Sequence, residues 1–281
     1  AIVADSGYEL MPVSPALGAT VRGVDLRAVS AKRADDLRAA FLSHHVLFFP
    51  DQELTPTTLA QVGEIFGSPT FYPFIEGFAE EPRVIPIIKE AGETKNFGEG
   101  WHSDTTYTAT PPAATMLYAV DVPDMGGDTL FANMHLAFSR LSESMQTLLS
   151  RLRAINSSSK RREGGRAAGN SFQSVKLKDR DTVLEGIHPV ARTHPETGAK
   201  ALYVNALHTA QFDGWTEAES KPLLEFLFRH KQQPEFVYRH RWSARTLAIW
   251  DNRCTQHFAL NDYHGHRREM LRLSLAGSKP Y

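Results

Sequence analysis

The feature that most constrains the fold is the run of short strands in the last third of the chain. Segments at 188–193, 201–205, 235–241, 246–251 and 268–276 read as strands, interrupted by one helix from about 217 to 231. That helix opens on Thr216-Glu217-Ala218-Glu219, in which each end of the motif caps the other. A wound α/β sheet needs strands that alternate regularly with helices, and this pattern does not provide them. No Gly-x-Gly-x-x-Gly opens a helix, which argues against a dinucleotide fold. The expected fold class is mostly β with flanking helices, a jelly roll or barrel with the helices packed outside.

The rest of the chain fits that plan. Residues 19–26 roughly alternate and then turn. Ala31 to His44 carries Ala34, Leu37, Ala40 and Phe41 at helical spacing, and Val46-Leu47-Phe48-Phe49 reads as a buried strand. Thr55-Pro56 caps a helix running to about Phe66. Arg83 to Ile88 and Thr115 to Val122 read as strands, and Gly126-Gly127-Asp128 as a turn into Thr129-Leu130-Phe131. Helices are expected near 133–141 and 143–153, the second capped by Ser142. Residues 157–187 are polar and Gly-rich, the pattern of a lid loop. With no repeat and no low-complexity linker, residues 1–281 are expected to form one domain.

Charge and composition exclude several partners. The formal net charge is −1, and the short basic run Lys160-Arg161-Arg162 reads as a solvated loop, so nucleic acid is not an expected partner. No apolar run approaches the roughly 18–20 residues that span a bilayer. The start, Ala1-Ile2-Val3-Ala4-Asp5, lacks the pattern of a signal peptide. The single cysteine, Cys254, allows no internal disulfide and reads as a buried structural thiol. A cytoplasmic setting is expected.

Three signals carry chemistry. In Trp101-His102-Ser103-Asp104 the imidazole and carboxylate are two residues apart, so an extended backbone points both to one side with Cα atoms about 6.5–7 Å apart. Alone, such a pair is more often a polar surface turn. Far downstream, His257 follows the apolar strand Leu247-Ala248-Ile249-Trp250, where a lone histidine is as readily a satisfied core residue. Together they supply two imidazoles and one carboxylate, the set that leaves one face of an octahedral iron open; zinc also accepts it. The third signal is Arg267-Arg268-Glu269-Met270-Leu271-Arg272-Leu273-Ser274-Leu275. Strand periodicity puts Arg268, Met270, Arg272 and Ser274 on one face and Leu271, Leu273 and Leu275 on the other. Two arginines on one face of an apolar strand call for anions, either structural carboxylates or ligands.

These stretches, with Pro111-Pro112-Ala113, Gly126-Gly127-Asp128-Thr129, His188-Pro189-Val190, Arg192-Thr193-His194-Pro195, Leu202-Tyr203-Val204-Asn205 and Trp250-Asp251-Asn252-Arg253, resemble the taurine dioxygenase and 2,4-dichlorophenoxyacetate dioxygenase family over about residues 10–279. The resemblance implies a double-stranded β-helix, a cupin-like jelly-roll core. It implies Fe(II) held by His102, Asp104 and His257, and 2-oxoglutarate as cosubstrate with Thr129 and Arg268 on its far carboxylate. It puts Arg272 near the acidic group of the prime substrate, and Asp251, Asn252 and Arg253 in supporting positions. The family's sulfonate-binding histidine aligns with Tyr72, an aromatic of its substrate pocket with His208, and its pocket asparagine with the stretch Asn96 to Gly100. Ser171 to Lys176 is closer to members that cleave aryloxyalkanoates.

The implied reaction consumes O2 and hydroxylates a C–H beside a heteroatom in a small anionic substrate: an alkyl sulfonate such as taurine, an alkyl sulfate ester or an aryloxyalkanoate. The products are sulfite, sulfate or a phenol, with succinate and CO2. With Asp104 present no ligand position is left for chloride, which disfavours a halogenase. The resemblance also suggests a homo-oligomer, dimer or tetramer. A metal-dependent hydrolase on the same triad and a non-catalytic cupin-like binding protein remain as alternatives.

Overall fold

The computed structural model describes the backbone of Ile2–Val3 and residues 7–160 and 182–281. The chain enters through β1 (Ile2–Val3), β2 (Glu9–Pro12) and β3 (Ala19–Arg22), paired antiparallel in turn. Then α1 (Ala31–His44) begins where Ser30 Oγ accepts the Arg33 N–H, and it buries Leu37, Ala40 and Phe41. β4 (Val46–Phe49) is buried along its whole length. α2 (Pro56–Gly63) starts on the Thr55 cap with Pro56 in its first turn. It ends before the expected Phe66, because the N–H groups of Ile65 and Phe66 donate to Val62 and Gly63 in tighter turns.

Next come β5 (Pro69–Thr70), β6 (Val84–Lys89), β7 (Ala114–Asp121) and β8 (Thr129–Asn133), followed by α3 (Met134–Ser139) and α4 (Glu143–Leu149). The expected helix at 143–153 stops at Leu149 because Arg153 already belongs to β9 (Arg153–Ser157), which pairs with β10 (Glu185–Pro189) from Ser157↔Glu185 to Arg153↔Pro189. The two ends of the expected 157–187 lid are therefore a β pairing, and residues 161–181 lie outside the described residues. The expected strand at 188–193 divides at Val190 into β10 and β11 (Ala191–Thr193). β12 (Lys200–Leu202), β13 (Thr209–Phe212), α5 (Glu217–His230), β14 (Val237–His240), β15 (Leu247–Asp251), β16 (Thr255–Ala259) and β17 (Arg268–Leu275) complete the chain.

The large sheet runs β1-β2-β3-β4-β15-β7-β17-β5, with β6 also paired to β17. Strand periodicity sorts its residues onto two faces. Leu47, Phe49, Met116, Tyr118, Leu247, Ile249, Leu271, Leu273 and Leu275 pack with Leu37 and Phe41 of α1 and Leu59 of α2. The alternate residues Val46, Phe48, Ile85, Ile87, Leu117, Ala248, Trp250 and Met270 pack against Phe131 of the three-stranded sheet β14-β8-β16. The far side of that smaller sheet is covered by Phe138 of α3 and Leu224 and Leu227 of α5. Two sheets face to face with helices outside form the expected jelly-roll core. Arg268 and Arg272 share the inward face of β17 with Met270, so both cations point between the sheets.

Candidate active site

The His-x-Asp segment is tied to β16 by a two-way backbone bridge: the His102 N–H donates to the His257 carbonyl (3.1 Å) and the His257 N–H to that of His102 (2.9 Å). That bridge brings residues 155 positions apart in sequence to one point, with ring centroids 4.2 Å apart. His102 Nδ1 lies 2.9 Å from the Gly100 carbonyl, which can only accept, so Nδ1 carries the proton and Nε2 offers its lone pair. Gly98, at φ 83°, lets the chain pass close to this ring; a Cβ there would lie 3.4 Å from His102 Cε1.

Asp104 is fixed from the other side. Its Oδ2 accepts from the Thr115 hydroxyl at 2.7 Å, and Thr115 in turn accepts from Asn252 Nδ2 at 2.8 Å. Asn252 Oδ1 accepts from Trp250 Nε1 at 3.1 Å. The other oxygen, Oδ1, lies 3.6 Å from His102 Nε2, 3.8 Å from His257 Nε2 and 3.0 Å from Arg272 Nη2. Burial works to raise the Asp104 pKa, but the Arg272 guanidinium and the two imidazoles outweigh it and hold the carboxyl well below the usual carboxylate range. The three donor atoms lie within 4.8 Å of one another, and all three residues are buried. Closing to the roughly 3 Å between adjacent donors on an octahedral ion takes only small side-chain rotations.

A cavity of ≈ 430 Å³, open mouth included, lies over this triad. Ile87, Phe97, Leu117, Trp250 and Ala259 make it largely apolar, while Thr129, Arg268 and Arg272 supply its polar groups beyond the triad. Arg268 is 4% exposed, yet its Nε and Nη2 have no hydrogen-bond partner among the described residues. A buried guanidinium in that state calls for an anionic ligand. Burial pushes its pKa down, with Tyr263 and Asp128 acting the other way. Gly127, at φ 68°, lets the arginine stem lie close; a Cβ there would stand 3.4 Å from Arg268 Cδ. The Thr129 hydroxyl accepts from Trp242 Nε1 at 2.9 Å, which leaves its own proton for a further acceptor.

Two imidazoles, one carboxylate and a buried, orphaned arginine in one cavity suit a metal ion with a dicarboxylate beside it. The chain matches the family described as "Taurine catabolism dioxygenase TauD, TfdA family" over residues 9–274. The chain belongs to this family. Among curated relatives, the alpha-ketoglutarate-dependent sulfate ester dioxygenase of Pseudomonas putida is 31% identical over 288 residues, covering 97% of this chain and 90% of that protein. The crystal structure of a taurine dioxygenase from Burkholderia xenovorans superposes with a TM-score of 0.82 at 33% identity, covering 98% of this chain and 92% of that one. The structure of AAD-2 in complex with Mn(II) and N-oxalylglycine superposes with a TM-score of 0.77 at 26% identity, covering 97% and 98%. This TauD-family chain is thus an Fe(II)- and 2-oxoglutarate-dependent dioxygenase, an oxidoreductase that consumes O2. Family membership sets aside the hydrolase and the non-catalytic binding protein.

The remaining expected site residues of this TauD-family enzyme lie near the triad but not on the cavity wall. Tyr72 is buried behind Arg272, its ring 4.7 Å from the guanidinium carbon, a cation–π contact that props the arginine. His208 is also buried, its ring 5.8 Å from that of His102 and its Nδ1 2.9 Å from the Thr106 hydroxyl. Neither lines the cavity. Asn96 is held within the protein, donating to the Leu260 carbonyl (3.1 Å) and accepting from the Tyr263 hydroxyl (2.8 Å). Asp251, Asn252 and Arg253 brace the framework: Asp251 takes a two-point contact from Arg253 and lies 3.0 Å from His194 Nε2. Sequence reasoning missed the apolar wall, above all Phe97, Ile87 and Leu117. Val84–Lys89 is apolar at nearly every position, so the strand was legible in the sequence without any sign that Ile87 would face His102, Asp104 and His257.

Among the described residues no helix is long and apolar enough to cross a membrane.

Proposed function

We propose that this enzyme oxidises small alkyl sulfate esters, hydroxylating the carbon that bears the ester oxygen. The observation that carries this reading is the charge pattern of the cavity: among its lining residues the carboxylate is Asp104, set against Arg268, Arg272 and an apolar wall. A substrate with an anionic head and an uncharged alkyl body matches that wall, whereas the ammonium of taurine would meet no carboxylate of its own. The sulfate ester dioxygenase relative of Pseudomonas putida supports the same class.

In this reading His102, Asp104 and His257 would hold Fe(II), the two-imidazole, one-carboxylate set suited to oxygenase chemistry. When bound, iron, 2-oxoglutarate and O2 supply the oxidation, yielding succinate and CO2. The side chains do the rest. Arg268 and the Thr129 hydroxyl bind the far carboxylate of 2-oxoglutarate. Arg272, propped by Tyr72, binds the sulfate head and orients the adjacent CH2 toward the metal. Phe97, Ile87 and Leu117 hold the alkyl chain and exclude water. His208 supports the His102 side of the site. The hydroxylated carbon then loses its sulfate, so R–CH2–OSO3⁻, O2 and 2-oxoglutarate give R–CHO, hydrogen sulfate, succinate and CO2. The same reading includes a single domain over residues 1–281, a cytoplasmic setting and assembly as a dimer or tetramer.

The test has two stages. Anaerobic addition of Fe(II) and 2-oxoglutarate to the apo protein should produce a visible charge-transfer band that needs both. Alkyl sulfates of graded chain length, taurine and aryloxyalkanoates are then compared for coupled succinate formation. Sulfate release from alkyl sulfates at the highest kcat/KM is the expected result. Sulfite from taurine or a phenol from an aryloxyalkanoate as the preferred product would move the substrate class.

A further inference from the structure

A second cluster of metal-ligating side chains lies away from the cavity. His45 follows α1, His135 lies in α3, and Cys254 sits in the turn between β15 and β16. Backbone bonds already hold them together: the Met134 N–H donates to the Cys254 carbonyl and the Asp251 N–H to the His45 carbonyl, both at 2.9 Å. Cys254 Sγ lies 3.6 Å from His45 Nδ1, and the His45 and His135 rings are 5.2 Å apart. One donor atom from each of the three residues lies within 4.8 Å of the others.

We propose that His45, His135 and Cys254 form a second metal site that takes a thiolate-preferring divalent cation such as zinc. Sulfur and nitrogen donors on a tetrahedral zinc stand roughly 3.5 Å apart, given bond lengths of about 2.3 and 2.05 Å. The observed 3.6 Å between sulfur and Nδ1 is already that separation. His135 Nδ1 lies 2.8 Å from the Lys200 carbonyl, which fixes the proton on Nδ1 and leaves Nε2 as a ligand, the support that metal-binding histidines ordinarily have. His45 caps α1 at φ 65°, in the left-handed region where glycine is the usual residue, so its side chain is retained at some backbone cost. Burial lowers the pKa of both histidines, that of His45 to about 4, so both are neutral ligands at neutral pH.

Both imidazoles are only half-buried, so solvent reaches them and a water would complete the fourth position on a bound ion. His194 does not join them: its Nε2 pairs with Asp251, and its Nδ1 accepts from the Glu196 and Thr197 N–H groups. Burial holds the Cys254 thiol protonated without a metal, so binding forms the metal–sulfur bond and releases that proton to solvent. The ion would clip three elements around the turn leading into β16, the strand that carries His257.

Cobalt(II) distinguishes this site from the His102–Asp104–His257 centre, because only a thiolate gives a near-ultraviolet sulfur-to-cobalt band. The wild-type protein should bind a second equivalent of cobalt(II) with that band. His257→Ala should keep the band, and Cys254→Ala should lose it. His135→Gln, at a half-buried position, should weaken this equivalent at least about tenfold with the far-ultraviolet circular dichroism unchanged. A single equivalent without the band in wild-type protein overturns the proposal. So does a band of undiminished affinity in both His45→Gln and His135→Gln.

Discussion

Arg272 Nη2 lies 3.0 Å from Asp104 Oδ1, the carboxylate oxygen that also faces both imidazoles of the triad. The contact is an ion pair without hydrogen-bond geometry, since Nη1 and Nη2 count no hydrogen-bonded partner among the described residues. One guanidinium thus balances the buried carboxylate while keeping donors for another anion. Arg272→Leu should raise KM for the anionic substrate about a hundredfold, the worth of two charge-assisted hydrogen bonds at roughly 1.5 kcal/mol each. The affinity for 2-oxoglutarate should change little. Steady-state kinetics beside a 2-oxoglutarate titration checks this; an unchanged substrate KM removes Arg272 from the substrate site.

Arg268 predicts the opposite pattern. Its buried Nε and Nη2 have no hydrogen-bond partner among the described residues, so Arg268→Met should weaken 2-oxoglutarate at least about a hundredfold and leave metal affinity nearly unchanged. Thr129→Val keeps the side-chain volume and removes one donor, for about a tenfold loss. It also takes the acceptor from buried Trp242 Nε1, which should lower stability by about 1–3 kcal/mol. Isothermal titration of 2-oxoglutarate into Fe(II)-loaded variants, with urea unfolding alongside, separates the two effects.

Local signals made parts of this fold legible. Ala31–His44 and Glu217–His230 carry caps and helical spacing, and Val46–Phe49 is an unbroken apolar run, so each is found where its residues place it. β9, β13 and β16 were not legible, because Arg-Ala-Ile-Asn-Ser, Thr-Ala-Gln-Phe and Thr-Gln-His-Phe-Ala look like loops until their polar groups find partners. Asn156 Oδ1, for example, accepts from the Thr209 hydroxyl at 2.8 Å. The chemistry of His102, Asp104 and His257 was visible in the sequence, but the bridge between His102 and His257 is a tertiary contact with no sequence signature. The His45, His135 and Cys254 cluster was invisible for the same reason: three isolated residues on three elements share no motif.

Asp251 is fully buried and joins β15 to the turn before β16 through Arg253, which also pairs with Glu196. Burial opposes its charge, but Arg253 and His194 hold its carboxyl far below the usual range. Asp251→Ala would leave Arg253 with only the half-exposed Glu196, and removing one partner of a buried pair costs roughly 3–5 kcal/mol. A loss of that size in urea unfolding is expected, with the far-ultraviolet spectrum retained at low temperature. A loss under 1 kcal/mol, on the order of an exposed pair, would mean that this network does not brace the site.

His240 supplies a pH dependence independent of the metal centre. Its ring stacks on Phe48 at 4.0 Å and is 8% exposed; burial, with the nearby Arg268 charge, lowers its pKa from 6.5 to about 3. Between those values the unfolded chain holds a proton on this ring that the folded chain does not. Stability is therefore present above pH 6.5 and lost as the pH falls toward 3. At pH 4.5 the loss amounts to roughly 2–3 kcal/mol, from about 1.4 kcal/mol per pH unit. His240→Leu removes the titration and keeps an apolar group against Phe48. Urea unfolding of both proteins from pH 7 to 4.5 should give the wild type a steeper decline by about that amount. Parallel curves would mean that His240 takes up its proton without unfolding, through a rearrangement around Phe48 and Trp242.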